Sequence, residues 1–213
     1  MRQFHNQTVE STLHKRLVEM WVAVEMESGG KIRVRTFAEN DKLAGGDPQA
    51  RDMLISGEIE FYTLMGGILG EVVPIADIQG MPFAFKDSPQ VYAALDGDLG
   101  DPLREQAMTK GIYALPRGCF ENGFRQITSS THPIGNVADL NGFKIRVPAS
   151  QVFDDCFKSL GAVPTSINTN KLYDALKSGQ VEGQEKPARH RRRVQALRSA
   201  ALCEPHLAYV VGL

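Results

Sequence analysis

The stretch KIRVRTFAENDKLAGGDPQARDMLISGEIEFYTLM, residues 31–65, decides the predicted fold. Its first part, 31–37, alternates charged and apolar side chains, a pattern typical of a half-buried strand. Residues 48–56 predict a helix closed by a glycine, and residues 58–65 predict the next strand. A strand, a helix and a second strand in this order form a βαβ unit, which implies a parallel sheet whose strands end in ligand-accessible loops.

The rest of the chain extends this pattern into two α/β domains with a cleft between them. Apolar residues recur at intervals of three and four from Val9 to Val24, as in an amphipathic helix. The segment 118–128 is placed at the crossing between the domains, so we predict a first lobe over 1–123 and a second over 124–213. The other predicted elements are helices at 88–95, 102–110, 150–160 and 170–178, strands at 112–115, 162–167 and 180–185, an apolar turn at 81–85, and a helical turn followed by a strand within 136–148.

The composition excludes several protein classes. Hydrophobic residues make up 42% and charged residues 23% of the chain, which is typical of a globular protein. No apolar run approaches the roughly 20 residues that span a bilayer. Residues 1–16 lack the apolar core of about 7–15 residues that a signal peptide needs, so we expect any export leader to be absent from this sequence. The widely spaced Cys119, Cys156 and Cys203 predict partly buried apolar side chains and no metal site.

Arg146 lies within KIRVP, residues 144–148, at the end of a strand predicted to be buried. A buried charge without a partner is costly, and its strand neighbours Ile145 and Val147 are apolar. The partner is either a distant carboxylate of the protein, in a structural ion pair, or the carboxylate of a ligand. A planar guanidinium matches a ligand carboxylate with two parallel hydrogen bonds. Arg125, in GFRQIT, raises the same two alternatives.

An ordered set of motifs indicates a family. Its members are GGKIRVRTF, LAGGDPQARDMLISGEIEF, MPFAFKD, GFRQITSSTHPI, DLNGFKIRVP, LGAVPTSIN and LYDALKSGQVEGQE. From about residue 5 to residue 186 this set, with its spacing, resembles the DctP-type solute receptors of tripartite ATP-independent periplasmic (TRAP) transporters. The resemblance implies a two-domain periplasmic-binding-protein-like fold of type II, with mixed sheets flanked by helices and a hinge at the cleft.

The resemblance also implies the ligand-binding residues. Arg146 matches the arginine that pairs with the substrate carboxylate in this family, and Arg125 matches an arginine that assists it. The family motif G-Q-E-N-P presents an asparagine to the ligand, but GQEKP places Lys186 at that position here. At positions that vary with the substrate, the resemblance adds Asn168 and Thr169 in the second lobe and Met65 and Gly66 in the first.

The function implied by the resemblance is that of an extracytoplasmic receptor. Such a protein captures a small organic acid by closing its lobes around it and delivers it to the permease subunits in the membrane. The resemblance further implies a periplasmic monomer with no cofactor and no nucleic-acid partner. The histidines form neither HxxH nor HExxH and no serine lies in GxSxG, so we expect no enzyme activity.

Three alternatives remain open at this point. A ligand-sensing effector domain of the same architecture would need a helix-turn-helix, which residues 1–30 do not provide. An isomerase or lyase of carboxylic acids would need a paired acid and base, which the sequence does not indicate. The chain is also compatible with a nonfunctional gene fragment. Relatives continue well beyond the last residue, so we expect the fold to be incomplete at the C-terminus, with a first lobe that lacks its returning strand.

A basic stretch departs from the family. KPARHRRRVQALRSAAL, residues 186–202, contains six basic residues and no acid. It is a nucleic-acid patch, a solvated charged helix or an artefact of the gene sequence. Codons exist for 185–202 that, with one base removed near position 186, spell ENPLATVGVSKLYEVQRY. That string restores the G-Q-E-N-P motif and the helix that follows it, and the original frame resumes in PHLAYVVGL. We therefore interpret residues 186–202 as the product of two compensating indels.

Resequencing of the gene from independent clones tests this interpretation. We expect the corrected frame, with asparagine at position 186, because that frame alone restores the family motif. The present frame in every clone would contradict the interpretation. Lys186 would then add a positive charge near the predicted carboxylate pocket.

Overall fold

The computed structural model describes residues 1–123, 125–187 and 207–212, which form two mixed β-sheets flanked by helices. The strands are β1 (Arg2–His5), β2 (Arg35–Phe37), β3 (Phe61–Met65), β4 (Ala114–Glu121), β5 (Arg125–Ser129), β6 (Lys144–Val147), β7 (Val163–Ser166), β8 (Gly183–Pro187) and β9 (Leu207–Gly212). The α-helices are α1 (Thr12–Glu27), α2 (Gly46–Ile55), α3 (Gly66–Gly70), α4 (Ser88–Asp96), α5 (Gly100–Met108), α6 (Gln151–Ser159) and α7 (Leu172–Lys177). Short 3₁₀ segments lie at Ala38–Lys42, Pro74–Gly80, Val137–Leu140 and Thr169–Lys171.

The first sheet has the strand order β2-β1-β3-β9-β4. β1 pairs in parallel with both β2 and β3, so the two strands of the predicted βαβ unit lie on either side of β1. The sequence did not predict β1. Its residues Gln3 and His5 are polar yet fully buried, so the strand carries no alternation of apolar and polar side chains.

The last described strand changes the predicted division of the chain. The sequence prediction places residues 207–212 in the second lobe and leaves the first lobe without a returning strand. The structure differs, because β9 lies between β3 and β4 of the first sheet and is antiparallel to both. The chain leaves the first sheet at Glu121 and enters the second at Arg125, within the predicted crossing. The basic stretch from 188 to 202 lies outside the described residues.

The second sheet has the strand order β5-β8-β6-β7. β6 pairs in parallel with β7 and β8, and β5 closes the other edge antiparallel to β8. The predicted turn and strand within 136–148 are a 3₁₀ segment followed by β6. The turn starts where Asn136 and Asp139 exchange hydrogen bonds in a capping box, which satisfies backbone donors that would otherwise be unpaired.

An apolar core runs from the first lobe into the second. It includes Leu64 and Ile68 of the first lobe together with Phe153 and Phe157 of α6. On the same side, the Oε1 atom of Glu71 accepts a hydrogen bond from the backbone N–H of Gln151 at 3.1 Å, at the start of α6. A carboxylate at the N-terminus of a helix is stabilising. We call this set of contacts the base of the cleft.

The structure describes two of the three cysteines. Cys119 and Cys156 are partly buried, as predicted, and burial raises the pKa of the Cys119 thiol to about 12. Cys203 lies outside the described residues.

Within the described ranges, no helix has both the length and the apolar character that crossing a membrane requires.

His5 is a buried titratable group in β1. Its Nε2 atom lies 2.9 Å from Nδ1 of His14 in α1. Burial, and then the nearby His14, lower the pKa of His5 from 6.5 to about 4. The unfolded chain therefore takes up this proton at a higher pH than the folded chain does. The contribution of His5 to the free energy of unfolding is fully present above 6.5, its pKa in the unfolded chain. This contribution is lost as the pH falls toward about 4, its pKa in the folded chain.

We expect the free energy of unfolding to fall by roughly 3 kcal/mol between about pH 7 and pH 4 because of His5. Urea denaturation across this range measures it. His5→Gln should remove most of this dependence, whereas His132→Gln, at an exposed histidine, should preserve it. Equal pH dependence in the parent chain and in His5→Gln would contradict the expectation.

Candidate ligand-binding site

A cleft of about 1470 Å³ lies between the two lobes. The first-lobe wall comes from the segment after β1, from the start of α1 and from the start of α2. The second-lobe wall comes from the segment that joins β7 to α7 and from the end of β8. Small-molecule pockets typically measure about 300–1,000 Å³, so this cleft has room for a small ligand and ordered water.

Arg146 lies behind the second-lobe wall, on β6, with 3% of its surface exposed. Its Nε atom donates to the backbone oxygen of Ile167 at 2.7 Å, and Nη2 donates to Oγ1 of Thr169 at 3.4 Å. Burial lowers the pKa of Arg146 to about 10, a shift that the negative charges of Glu185 and Asp47 oppose. Arg146 is therefore charged at neutral pH, and among the described residues no carboxylate forms an ion pair with it.

The sequence left the same two alternatives open for Arg125, but its environment differs from that of Arg146. The Nε and Nη2 atoms of Arg125 donate to the two carboxylate oxygens of Glu185, and both residues are almost completely buried. The guanidinium also lies 4.8 Å from the centre of the Phe153 ring, a cation–π distance. The charge of Arg125 is thus balanced inside the protein. Its assistance to a ligand remains a prediction.

Three of the predicted site residues line the cleft, namely Asn168, Thr169 and Lys186. Thr169 contacts the cleft on one side and Arg146 on the other. Lys186 lies on β8 two residues beyond Gln184, the register partner of Arg146, so Lys186 and Arg146 project from the same face of the sheet. Asn168 reaches across the cleft and donates from Nδ2 to the backbone oxygen of Gly45 at 3.2 Å.

Met65 and Gly66 are buried at the junction of β3 and α3, and neither is among the described residues that line the cleft. The Sδ atom of Met65 lies 3.8 Å from Nη1 of Arg125, so Met65 links the first lobe to the ion pair of the second. A Cβ atom at Gly66 would lie 2.5 Å from the Gln79 side chain, so a larger residue here would have to displace the buried Gln79 amide. A direct contact of either residue with a ligand stays a prediction.

Asp47 is a cleft residue that the sequence analysis missed. It is 5% exposed and accepts hydrogen bonds from the Tyr62 hydroxyl at 2.9 Å and from the Asn40 and Asn6 amides at 2.6 and 3.0 Å. Burial raises the pKa of Tyr62, and the Asp47 charge raises it further. Asp47 also acts electrostatically on Arg146 from the opposite lobe. In the sequence it looks like an ordinary acidic residue in the first turn of a helix, which gives no signal of this role.

The described residues contain no group of three or more histidine, cysteine, aspartate or glutamate side chains arranged to hold a metal ion. The described cleft residues offer hydrogen-bonding groups and charges. The cleft has a buried cation behind the second-lobe wall and a buried carboxylate in the first-lobe wall.

A sequence model described as "Bacterial extracellular solute-binding protein, family 7" (DctP) matches residues 4–194. The chain belongs to this family. A DctP relative from Verminephrobacter eiseniae, described as a solute-binding protein, is 32% identical over 77% of this chain and 48% of its own length. The C4-dicarboxylate-binding protein DctB of Bacillus subtilis is 30% identical over 76% of this chain and 45% of its own length. The chain thus spans about half the length of the curated relatives it matches.

Solved structures of the DctP family have the same fold. A TRAP periplasmic solute-binding protein from Sulfurospirillum deleyianum with bound succinate is 25% identical, with a TM-score of 0.90 over 100% of this chain and 69% of that one. The sugar-acid-binding protein of Advenella mimigardefordensis in complex with galactonate is 28% identical, with a TM-score of 0.89 over the same shares. The predicted family and the predicted two-lobed fold are confirmed.

The buried ion pair gives a stability prediction. Glu185→Gln removes the carboxylate that neutralises Arg125 and leaves a buried cation uncompensated. We expect the free energy of unfolding to fall by about 3–5 kcal/mol, measured by urea denaturation. As a control, Glu19→Gln breaks the exposed pair with Arg16 and should cost less than about 1 kcal/mol. Similar losses in the two variants would show that the Arg125–Glu185 pair is not buried in solution.

Proposed function

We propose that this chain is the ligand-binding part of an extracytoplasmic receptor that captures a small organic acid for a TRAP-type transporter. The observation that carries the proposal is the buried guanidinium of Arg146. It lies directly behind the cleft wall, and its described partners are neutral oxygens rather than a carboxylate.

The hydrogen bonds of Arg146 favour an anionic ligand. Of its three nitrogen atoms, Nε and Nη2 have partners, whereas Nη1 has none among the described residues. A ligand carboxylate that accepts from Nη1 and Nη2 would satisfy these donors in a bidentate arrangement. It would also offset part of the cost of burying this charge, because burial is the main cause of the lowered pKa of Arg146.

The opposite wall favours a ligand that also donates hydrogen bonds. Asp47 accepts three hydrogen bonds from the described residues, whereas an ionised carboxylate offers about four acceptor sites. One site is left for a ligand hydroxyl, and a second ligand carboxylate at this wall would be repelled. Hydroxylated acids are therefore favoured over dicarboxylates, although the structural relatives include proteins with succinate and with galactonate bound.

The remaining expectations belong to the same proposal. The receptor acts in the periplasm as a monomer and passes its ligand to membrane permease subunits, without a cofactor, a nucleic-acid partner or catalytic activity. The family description as an extracellular solute-binding protein supports this location and this role. The alternatives are a ligand-sensing effector domain and a nonfunctional fragment, and a failure to bind any organic acid would favour the latter.

A thermal-shift screen tests the proposal, with D-galacturonate, D-glucuronate, galactonate, D-erythronate and succinate as probes. A ligand at a hundred times its Kd stabilises the folded chain by about 2.7 kcal/mol, so at least one acid should raise the melting temperature clearly. Arg146→Met, which keeps the length of the side chain but removes its charge, should abolish that rise.

The control is Arg33→Met, because Arg33 forms an exposed ion pair with Glu25 away from the cleft residues. It should keep the full shift. No stabilisation by any of the acids, or an unchanged shift in Arg146→Met, would refute the proposal.

A further inference from the structure

Asn168 of the second lobe contacts the first lobe at the rim of the cleft. Besides its hydrogen bond to the backbone oxygen of Gly45, the Asn168 amide packs directly on Gly46. A Cβ atom at Gly46 would lie 2.5 Å from Cγ, 2.7 Å from Oδ1 and 2.8 Å from Nδ2 of Asn168. Any side chain at position 46 would therefore displace the amide. We call Asn168, Gly45 and Gly46 the rim contact.

The rim contact differs in kind from the base of the cleft. At the base, Phe153 and Phe157 belong to a buried core that both lobes share. The Asn168 hydrogen bond is exposed, and the amide is not part of that core. When two lobes open about a hinge, contacts at the base persist and contacts at the rim break. The rim contact is therefore placed to open and close at low cost.

The rim contact also adjoins the charges of the binding site on both lobes. Thr169 follows Asn168 and accepts a hydrogen bond from Arg146. Asp47 follows Gly46 and acts electrostatically on the same guanidinium. On each lobe, a residue of the rim contact is therefore followed directly by a residue that interacts with Arg146. These neighbours are Asn168 and Thr169 on one lobe, and Gly46 and Asp47 on the other. A change at Arg146 can reach the rim through a single peptide unit on either side.

From this arrangement we infer that the rim contact is a latch, which sets the ratio of closed to open chains and thereby the residence time of a ligand. The part that concerns the ligand rests on the proposed function. The latch itself acts in the protein without ligand, because its partners all belong to the chain. An exposed hydrogen bond with good packing changes such a ratio by about three- to tenfold.

Single-molecule Förster resonance energy transfer (FRET) on the ligand-free 213-residue chain tests the latch. Dyes are attached through Lys31→Cys and Lys177→Cys, two exposed positions on different lobes, after Cys119, Cys156 and Cys203 are replaced by alanine. We expect a closed population in the parent chain. Asn168→Ala and Gly46→Ala should each raise the ratio of open to closed molecules by about three- to tenfold.

The matched control is Gly57→Ala, at the other end of α2. Gly46 has a φ of +59° and Gly57 a φ of +77°, so alanine strains the backbone at both, but a Cβ atom at Gly57 has nothing within 4 Å. Gly57→Ala should therefore lower stability without opening the cleft.

A double-mutant cycle separates the latch from general destabilisation. If the alanine at position 46 acts by displacing the Asn168 amide, then Gly46→Ala should add little in a chain that already carries Asn168→Ala. Three outcomes would overturn the latch: additive effects in the cycle, equal opening in Gly46→Ala and Gly57→Ala, or a parent chain with no closed population. Each is observed without ligand, so it is distinct from a failure to bind organic acids.

Discussion

Among the described residues of the second lobe, two guanidiniums but only one carboxylate are buried, and this imbalance of charge underlies the properties of the site. Arg125 and Glu185 neutralise each other, which leaves Arg146 with neutral oxygens as its direct partners. A buried charge without a counter-ion is costly, and backbone and hydroxyl oxygens replace only part of the lost hydration. This cost arises at Arg146, which is buried directly behind the cleft wall. The electrostatic support for Arg146 comes from a distance, from the carboxylates of Glu185 and Asp47.

The two buried arginines have different environments. Arg125 lies against the Phe153 ring and next to the sulfur of Met65, so its pair with Glu185 is part of the contact between the lobes. Arg146 projects from the other face of the sheet, because its register partner Gln184 is adjacent to Glu185 on β8. Within one sheet, adjacent positions thus place a structural charge on one face and the charge that faces the cleft on the other.

Sequence patterns identified the elements whose signal is local. The spacing of apolar residues predicted α1, and the strand in KIRVP was recognised as β6 with a cleft-side arginine at its end. The pairing of Arg125 with Glu185 was not predictable, because it depends on the register in which Ile127 faces Glu185. Asn168 was predicted to lie in a pocket wall, and it does line the cleft, but its contact with Gly45 needed the relative position of the lobes. The sequence did not indicate Asp47, because its place in the cleft wall depends on hydrogen bonds from Asn6, Asn40 and Tyr62. These three residues are distant from Asp47 in sequence or separated from it by turns.

The central position of β9 has a consequence for the order of folding. Among the described strands, β9 is the one that joins β3 to β4, so these two strands stay apart until residues near the end of the described chain pair with Phe61–Met65. Such long-range pairing is slow, because the entropy of closing a large loop is lost before the strands gain contacts. Among the described residues, the strands of the second sheet all come from 125–187. The second lobe is thus expected to fold first. Until β9 arrives, the unpaired edges of β3 and β4 are the surfaces most exposed to aggregation.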